Sequence, residues 1–290
     1  MHSWPHVLLV IVGLFGAQVE TSKDPGPKSS PEQRLEFARQ AAAAYRFRLA
    51  GRDRSEVKLH PEPLLRWTNH VIQEDDGLLF IWTEGDRGRP IAGAQFFVQG
   101  PIWHHEFQSL SVDGFDTRFE GEGGAGWAWR PKGPGLDFVG DAQSESPAAA
   151  ANQRMRQMKA IAERFTAAVD PDGKFESPEQ LRLLTSPVYR YAATAQGILD
   201  GAVFVFAQGT NPEVLLLIEA VGTDAATAWR YGFARMSCFN LRVMRGDQIV
   251  WIRDRAPVPT PDQSSPYFFR LRAQADRSSE LSVPVRSAKP

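Results

Sequence analysis

Cysteine is all but missing from this chain of 290 residues. Cys238 stands alone, so no disulfide framework within the chain holds the fold and no cysteine cluster is present to bind zinc. An excess of one charge is missing too: 33 Lys and Arg stand against 34 Asp and Glu, a formal net charge of −1. With a pI near 6.6, the chain lacks the broadly basic surface by which proteins displace counterions from nucleic acid, and only a local basic patch is left open. Long apolar runs are lacking near the N-terminus: residues 7–17 (VLLVIVGLFGA) are eleven where a membrane-crossing helix needs roughly 20, and no Cys follows them to carry a lipid. The chain also has no G-x-S-x-G elbow, no H-E-x-x-H and no Walker loop.

What is there describes a folded, exported protein. The apolar fraction of 42% and charged fraction of 23% are those of an ordered chain, long enough for two modest cores. Residues 1–17 have the apolar length of a secretory signal peptide and point to a periplasmic or extracellular location. No Lys or Arg precedes the apolar run, and Phe15 stands where cleavage after Ala17 favours a small residue, so an uncleaved N-terminal anchor is the alternative. Residues 18–30, rich in Pro, Ser and Lys, read as a flexible leader.

Ser30-Pro31-Glu32-Gln33 then combines a capping serine, a proline at the first helical position and a glutamine that reaches back to the cap. Leu35, Ala38, Ala42, Tyr45 and Leu49 would line the buried face of that helix. A second start at Ser146-Pro147 would open a helix burying Met155, Met158, Ala162, Phe165 and Val169. After each come β-branched and aromatic runs bounded by Gly, Pro, Asp or Asn. They cover residues 64–72, 78–83, 91–98, 103–111 and 126–129, then 188–195, 202–207, 214–220, 229–243 and 248–252. Short loops such as Gly246-Asp247 make consecutive strands antiparallel.

The two stretches match one another without a gap, pairing Leu59 with Leu183, Pro63 with Pro187, Arg66 with Arg190, Asp76 with Asp200, Gly77 with Gly201 and Phe80 with Phe204. The fold expected is therefore α+β: two tandem copies of a helix followed by a four- or five-stranded antiparallel sheet. The copies would cover residues 31–135 and 147–255, with a linker at 136–146 and a Pro/Ser-rich tail at 256–290 carrying one further strand at 267–271. Arg66 and Arg190 would pair with Asp76 and Asp200 and pin strand edges. Residues 214–218 (VLLLI) are apolar on both faces of a strand and require cover on both sides.

Residues 154–159 (RMRQMK), 187–191 (PVYRY), 200–213 (DGAVFVFAQGTNPE) and 129–135 (WRPKGPG) resemble a recurrent family of predicted exported bacterial proteins with no assigned function. That resemblance covers most of the chain, supports the domain reading and implies no chemistry.

Four groups of residues are site candidates. His104-His105-Glu106 is the densest set of metal-ligating or acid–base side chains; strand alternation puts His104 and Glu106 on one face, and a zinc site would need His60 or His70 to join them. The matching stretch, Arg230-Tyr231-Gly232, lacks these groups, so a polar strand face is the plainer reading. Residues 121–126 satisfy G-x-G-x-x-G, yet Trp127-Ala128-Trp129-Arg130-Pro131 follows in place of a helix, and Glu120 and Glu122 would repel phosphate; this is a hairpin loop. Asp170-Pro171-Asp172-Gly173 with Glu179 is similar to part of a calcium loop, but Ala168 occupies the first ligand position, which leaves a turn ending the second helix. Trp127 and Trp129 share a strand face, as core or as an aromatic platform for a sugar or a protein.

The binding residues expected are Trp127, Trp129, His104 and Glu106, with no catalytic residue, metal ligand or cofactor assigned. The function expected is that of an exported, non-enzymatic binding or structural protein with a protein or glycan partner, no nucleic acid, and no membrane span beyond an uncleaved N-terminal segment. The alternatives are a metal-dependent or acid–base hydrolase built on His104-His105-Glu106, and a glycan-binding module.

Overall fold

The computed structural model of the chain describes residues 30–49, 56–69, 74–85, 88–99, 102–120, 127–223 and 226–273. In chain order, α1 (Pro31–Ala43) leads into β1 (Tyr45–Leu49), β2 (Val57–Leu59), β3 (Leu65–Asn69), β4 (Glu74–Glu84), β5 (Pro90–Gln99), β6 (Ile102–Ser109), β7 (Phe115–Phe119), β8 (Ala128–Trp129) and β9 (Val139–Gly140). Then α2 (Ala151–Ala162) is followed by β10 (Phe165–Asp170), β11 (Glu179–Leu183), β12 (Tyr189–Ala193), β13 (Ile198–Gln208), β14 (Asn211–Thr223), β15 (Ala226–Arg235), β16 (Asn240–Arg245), β17 (Gln248–Arg253) and β18 (Tyr267–Ala273). None of the helices among the described residues is long and apolar enough to cross a membrane.

The fold is mostly β, 52% strand against 13% helix, and this corrects the expected α+β fold of two tandem helix-plus-sheet copies. The strands regroup into three sheets: β1-β7-β8, then β18-β6-β5-β4-β2 with β3 beside β4, then β17-β16-β10-β11-β13-β14-β15-β9 with β12 beside β13. Strands from outside the expected units complete the two large sheets. β18 comes from the far end of the chain yet closes the edge of the second sheet along β6, and β9, within the expected linker, closes the third along β15. β1, β7 and β8 separate into a small sheet, whereas β10, β16 and β17 remain joined to the third.

Both helices end early. Tyr45 and Leu49 lie in β1, and Phe165 and Val169 in β10. The sequence YRFRL satisfies the spacing of a helical face, but it also alternates apolar and charged residues with period two. The alternation prevails, because a strand puts Tyr45 and Leu49 inside and leaves Arg46 and Arg48 in water. The capping box at Ser30 forms: the Ser30 amide donates to Gln33 Oε1 at 2.7 Å and the Gln33 amide to Ser30 Oγ at 3.3 Å. The second helix starts at Ala151, not at Ser146-Pro147, and has no side-chain cap. Its approach is held instead by Arg154, which donates to the Ala148 and Ala149 carbonyls, and by Gln157, which donates to the Ser146 carbonyl.

The two large sheets pack face to face, and β14 shows how the sequence demands it. Leu215 and Leu217 enter the core between the sheets with Leu79, Ile81, Val203 and Val205. Val214, Leu216 and Ile218 point the other way, against Met158 and Ile161 of α2. The outer face of the second sheet is covered by α1 and the small sheet, where Leu78, Phe80 and Phe96 meet Ala38, Tyr45 and Trp129. Full burial of one Leu or Phe side chain stabilises by about 1.5–3 kcal/mol, so the doubly covered central strands carry most of the stability.

The residues shared by the two halves are fold determinants. Asp76 accepts from Arg34 Nε at 3.0 Å and Arg66 Nη2 at 2.6 Å, and Asp200 accepts from Arg154 Nε at 2.9 Å and Arg190 Nη2 at 2.6 Å, so the expected pairs form. Arg66 and Arg190 also donate to the carbonyls of Pro31 and Ala151, tying the first turn of each helix to a bulged strand. Tyr191 lies flat across its cross-strand partner Gly201, where an added Cβ would sit 2.6 Å from the ring. Gly201→Ala is therefore expected to cost about 1–3 kcal/mol by overpacking. The measurement is a lowered urea midpoint at constant slope; an unchanged midpoint would mean that the ring moves aside freely.

Candidate functional site

β6 holds the His104-His105-Glu106 cluster between β5 and β18, and alternation divides it. His105 faces α1 and the small sheet, where its Nδ1 lies 2.7 Å from the Tyr45 hydroxyl and its ring meets Phe96 edge-on. His104 and Glu106 share the opposite face, as expected, but not one site. The His104 imidazole stacks on Phe97 at 4.8 Å, nearly parallel, and meets Phe269 at 5.6 Å. Glu106 accepts a 2.5 Å hydrogen bond from the Tyr267 hydroxyl of β18.

Burial in this apolar stack lowers the His104 pKa to about 4, which keeps the ring neutral at ordinary pH. Beside it, Cys238 packs against Phe97, Tyr267 and Phe269. Burial, reinforced by the Glu106 charge, pushes its thiol up to about 12, far from the thiolate needed for nucleophilic attack. Burial likewise raises the Tyr267 phenol well above its usual value, so the group serves as a donor. Arg235 lies over the Tyr267 ring at 4.7 Å and donates to the carbonyls of Ser237, Phe239 and Asp254. Of the groups that look reactive in the sequence, Glu106 is buried and bonded, and His104 and Cys238 are half-buried against aromatic rings.

His60 does not join them: its Nδ1 lies 2.7 Å from the Glu62 carbonyl and its ring meets Tyr189 edge-on at 5.7 Å. His70 and the Gly-rich residues 121–126 lie outside the described residues. Among the described residues no group of three His, Cys, Asp or Glu is placed to hold a metal ion. Asp170-Pro171-Asp172-Gly173 corrects the expected helix-ending turn, since it lies between β10 and β11. The Asp170 carboxylate accepts from the amides of Asp172 and Phe175, as in an Asx-type turn.

Trp127 and Trp129 pack onto the core of the second sheet. Trp129 is fully buried and donates its indole N–H to the Ser265 carbonyl at 2.8 Å; Trp127 is half-buried, with its ring against Tyr45 at 5.2 Å and Phe268 at 5.7 Å. Their faces are spent on aromatic neighbours because β8 lies over the core of the second sheet.

The sequence reading missed a cluster at the seam of the two large sheets. Glu219, fully buried on β14, accepts from Arg89 Nε at 2.8 Å, Tyr191 Oη at 2.8 Å and Arg230 Nε at 2.7 Å. Both guanidinium groups lie over the Phe138 ring, at 5.1 and 4.4 Å. Burial, reinforced by the Glu219 charge, raises the Tyr191 phenol well above its usual value and keeps it a donor. The signal was a glutamate inside the apolar run VLLLIEAV. Beside Arg89 a cleft lined by Leu49, Glu84, Ile91, Ser111 and Gln196 has about 20 Å³ of free space, room for one water-sized group.

Asp141 forms a similar knot. Burial pushes its carboxyl pKa up, but hydrogen bonds from Ser144, Arg245 and Arg164 outweigh that and hold it below the usual value. Asp76, Asp141, Asp200 and Glu219 thus each hold two arginines, whose planar forks suit such sharing better than lysine would. No family model matches the sequence, and neither a curated protein nor a solved structure matches it.

Proposed function

We propose that the chain is an exported, non-enzymatic binding or structural protein. The observation that carries this reading is the fate of its reactive side chains: Glu106 and Tyr267 are buried and bonded to one another, while His104 and Cys238, half-buried, pack against aromatic rings. General acid–base catalysis needs a group of matched pKa within hydrogen-bond reach of a substrate. An imidazole near pKa 4 and a thiol near 12 do not meet the first demand. The seam cleft, with space for about one water, is too small for an organic substrate. Residues 1–17 and the resemblance to exported proteins support the location.

The test is elemental analysis of protein purified without chelator or affinity metal, with thermal unfolding recorded before and after EDTA. The reading expects no stoichiometric transition metal and an unchanged Tm. One equivalent of zinc, with Tm falling on chelation and lost in Glu106→Gln, would replace it with the metal-dependent hydrolase reading.

A further inference from the structure

The outer face of the small sheet carries charge in an arrangement that fold stability does not explain. Arg46 and Arg48 on β1, Asp116 and Arg118 on β7, and Glu120 and Arg130 at the strand ends are exposed, while Tyr45, Leu49, Phe115 and Phe119 point inward. Four arginines against two carboxylates leave a net charge of +2 on this face of a chain whose total is −1. Arg46 pairs with Glu120 at 2.8 Å and Arg130 with Asp116 at 2.9 Å. Arg48 and Arg118 pair with no carboxylate among the described residues. Moreover, Arg118 lies directly opposite Arg46 in the β1–β7 register, a like-charge cross-strand pair that costs stability.

We propose that this face docks on an anionic membrane surface. It deepens the binding reading by naming the partner, and three observations favour lipid phosphate. The side chains of a sheet face stand roughly perpendicular to it, so Arg46, Arg48 and Arg118 leave β1 and β7 on one side, toward a planar surface. Guanidinium forks match phosphate oxygens bidentately. Finally, β1 follows α1 almost directly, and α1 is joined through residues 18–30 to the apolar run 7–17. Left uncleaved, the alternative to a signal peptide, that run is too short to span a bilayer, and a basic face would add electrostatic attraction to anionic lipid beside it.

The experiment is sedimentation of the full chain with vesicles of phosphatidylcholine alone and of phosphatidylcholine mixed with phosphatidylglycerol, at low salt. The wild type is expected to partition more strongly onto the anionic vesicles, and added salt is expected to remove the difference. Each arginine near such a surface contributes about fivefold in partitioning, so Arg48→Gln with Arg118→Gln is expected to lose roughly 25-fold. Its urea midpoint is expected to stay at or slightly above the wild-type value, because the like-charge pair is relieved. Equal partitioning of the wild type onto both vesicles, or undiminished binding by the double variant, would overturn the proposal. So would retention on an acidic polysaccharide resin without binding to anionic vesicles, which would give the face a glycan partner. Metal content is measured separately, so failure here leaves the non-enzymatic reading standing.

Discussion

Glu219→Ala is expected to lower stability by about 3–5 kcal/mol, the loss typical of removing one partner from a buried ion pair. The carboxylate joins Arg89, ahead of β5, to Arg230 and Tyr191 of the third sheet, and Arg89 is itself almost completely buried. Without it the guanidinium groups of Arg89 and Arg230, both packed on Phe138, lose their shared counter-charge, and Arg89, being almost completely buried, bears most of the cost. Arg89→Met is the informative comparison. It leaves Glu219 paired with Arg230, so its cost is expected to be clearly smaller. Urea unfolding of both variants decides the matter; equal and small losses would mean that the seam is held by its apolar contacts alone.

The acid limb of stability is the second large effect. Burial lowers the folded-state pKa of His104 from 6.5 to about 4, so the folded protein keeps this ring neutral while the unfolded chain protonates it. Between those values the unfolded state binds more protons. Stability therefore falls as pH drops from about 6.5 and has lost the whole contribution below about 4, a maximum of about 3 kcal/mol. His104→Leu keeps an apolar contact with Phe97 and removes both the titration and a buried ring nitrogen, Nδ1, that has no partner. The difference in unfolding free energy between wild type and variant is expected to shrink or change sign as pH rises from 4 to 7. A difference that stays flat would mean that His104 titrates normally and is open to water.

Local patterns in the chain were more legible than the assembly they enter. The Ser30 capping box, the doubly apolar strand around Leu215 and Leu217, and the Arg66–Asp76 and Arg190–Asp200 pairs all follow from side-chain chemistry within a short span or one cross-strand contact. Helix ends were misread because Tyr45 and Leu49, like Phe165 and Val169, satisfy both the helical spacing and the alternation of a strand. Sheet membership was not legible. Whether β18 returns to β6, or β1 and β7 form their own sheet, depends on long-range pairing that no local pattern specifies. Candidate sites suffered likewise: alternation correctly placed His104 with Glu106, but Phe97, Tyr267 and Phe269, which neutralise their chemistry, arrive from other strands.

Native-state labelling of Cys238 with a thiol-specific reagent at pH 8, followed by intact mass as urea is raised, tests most directly whether packing holds this protein's reactive groups in unreactive forms. The account predicts negligible labelling in buffer and a rate that rises only with global unfolding, because a thiol near pKa 12 among aromatic rings yields almost no accessible thiolate. Rapid stoichiometric labelling of the folded protein would contradict it, and would show that the cluster of Cys238, Glu106 and His104 opens to solvent and to substrates.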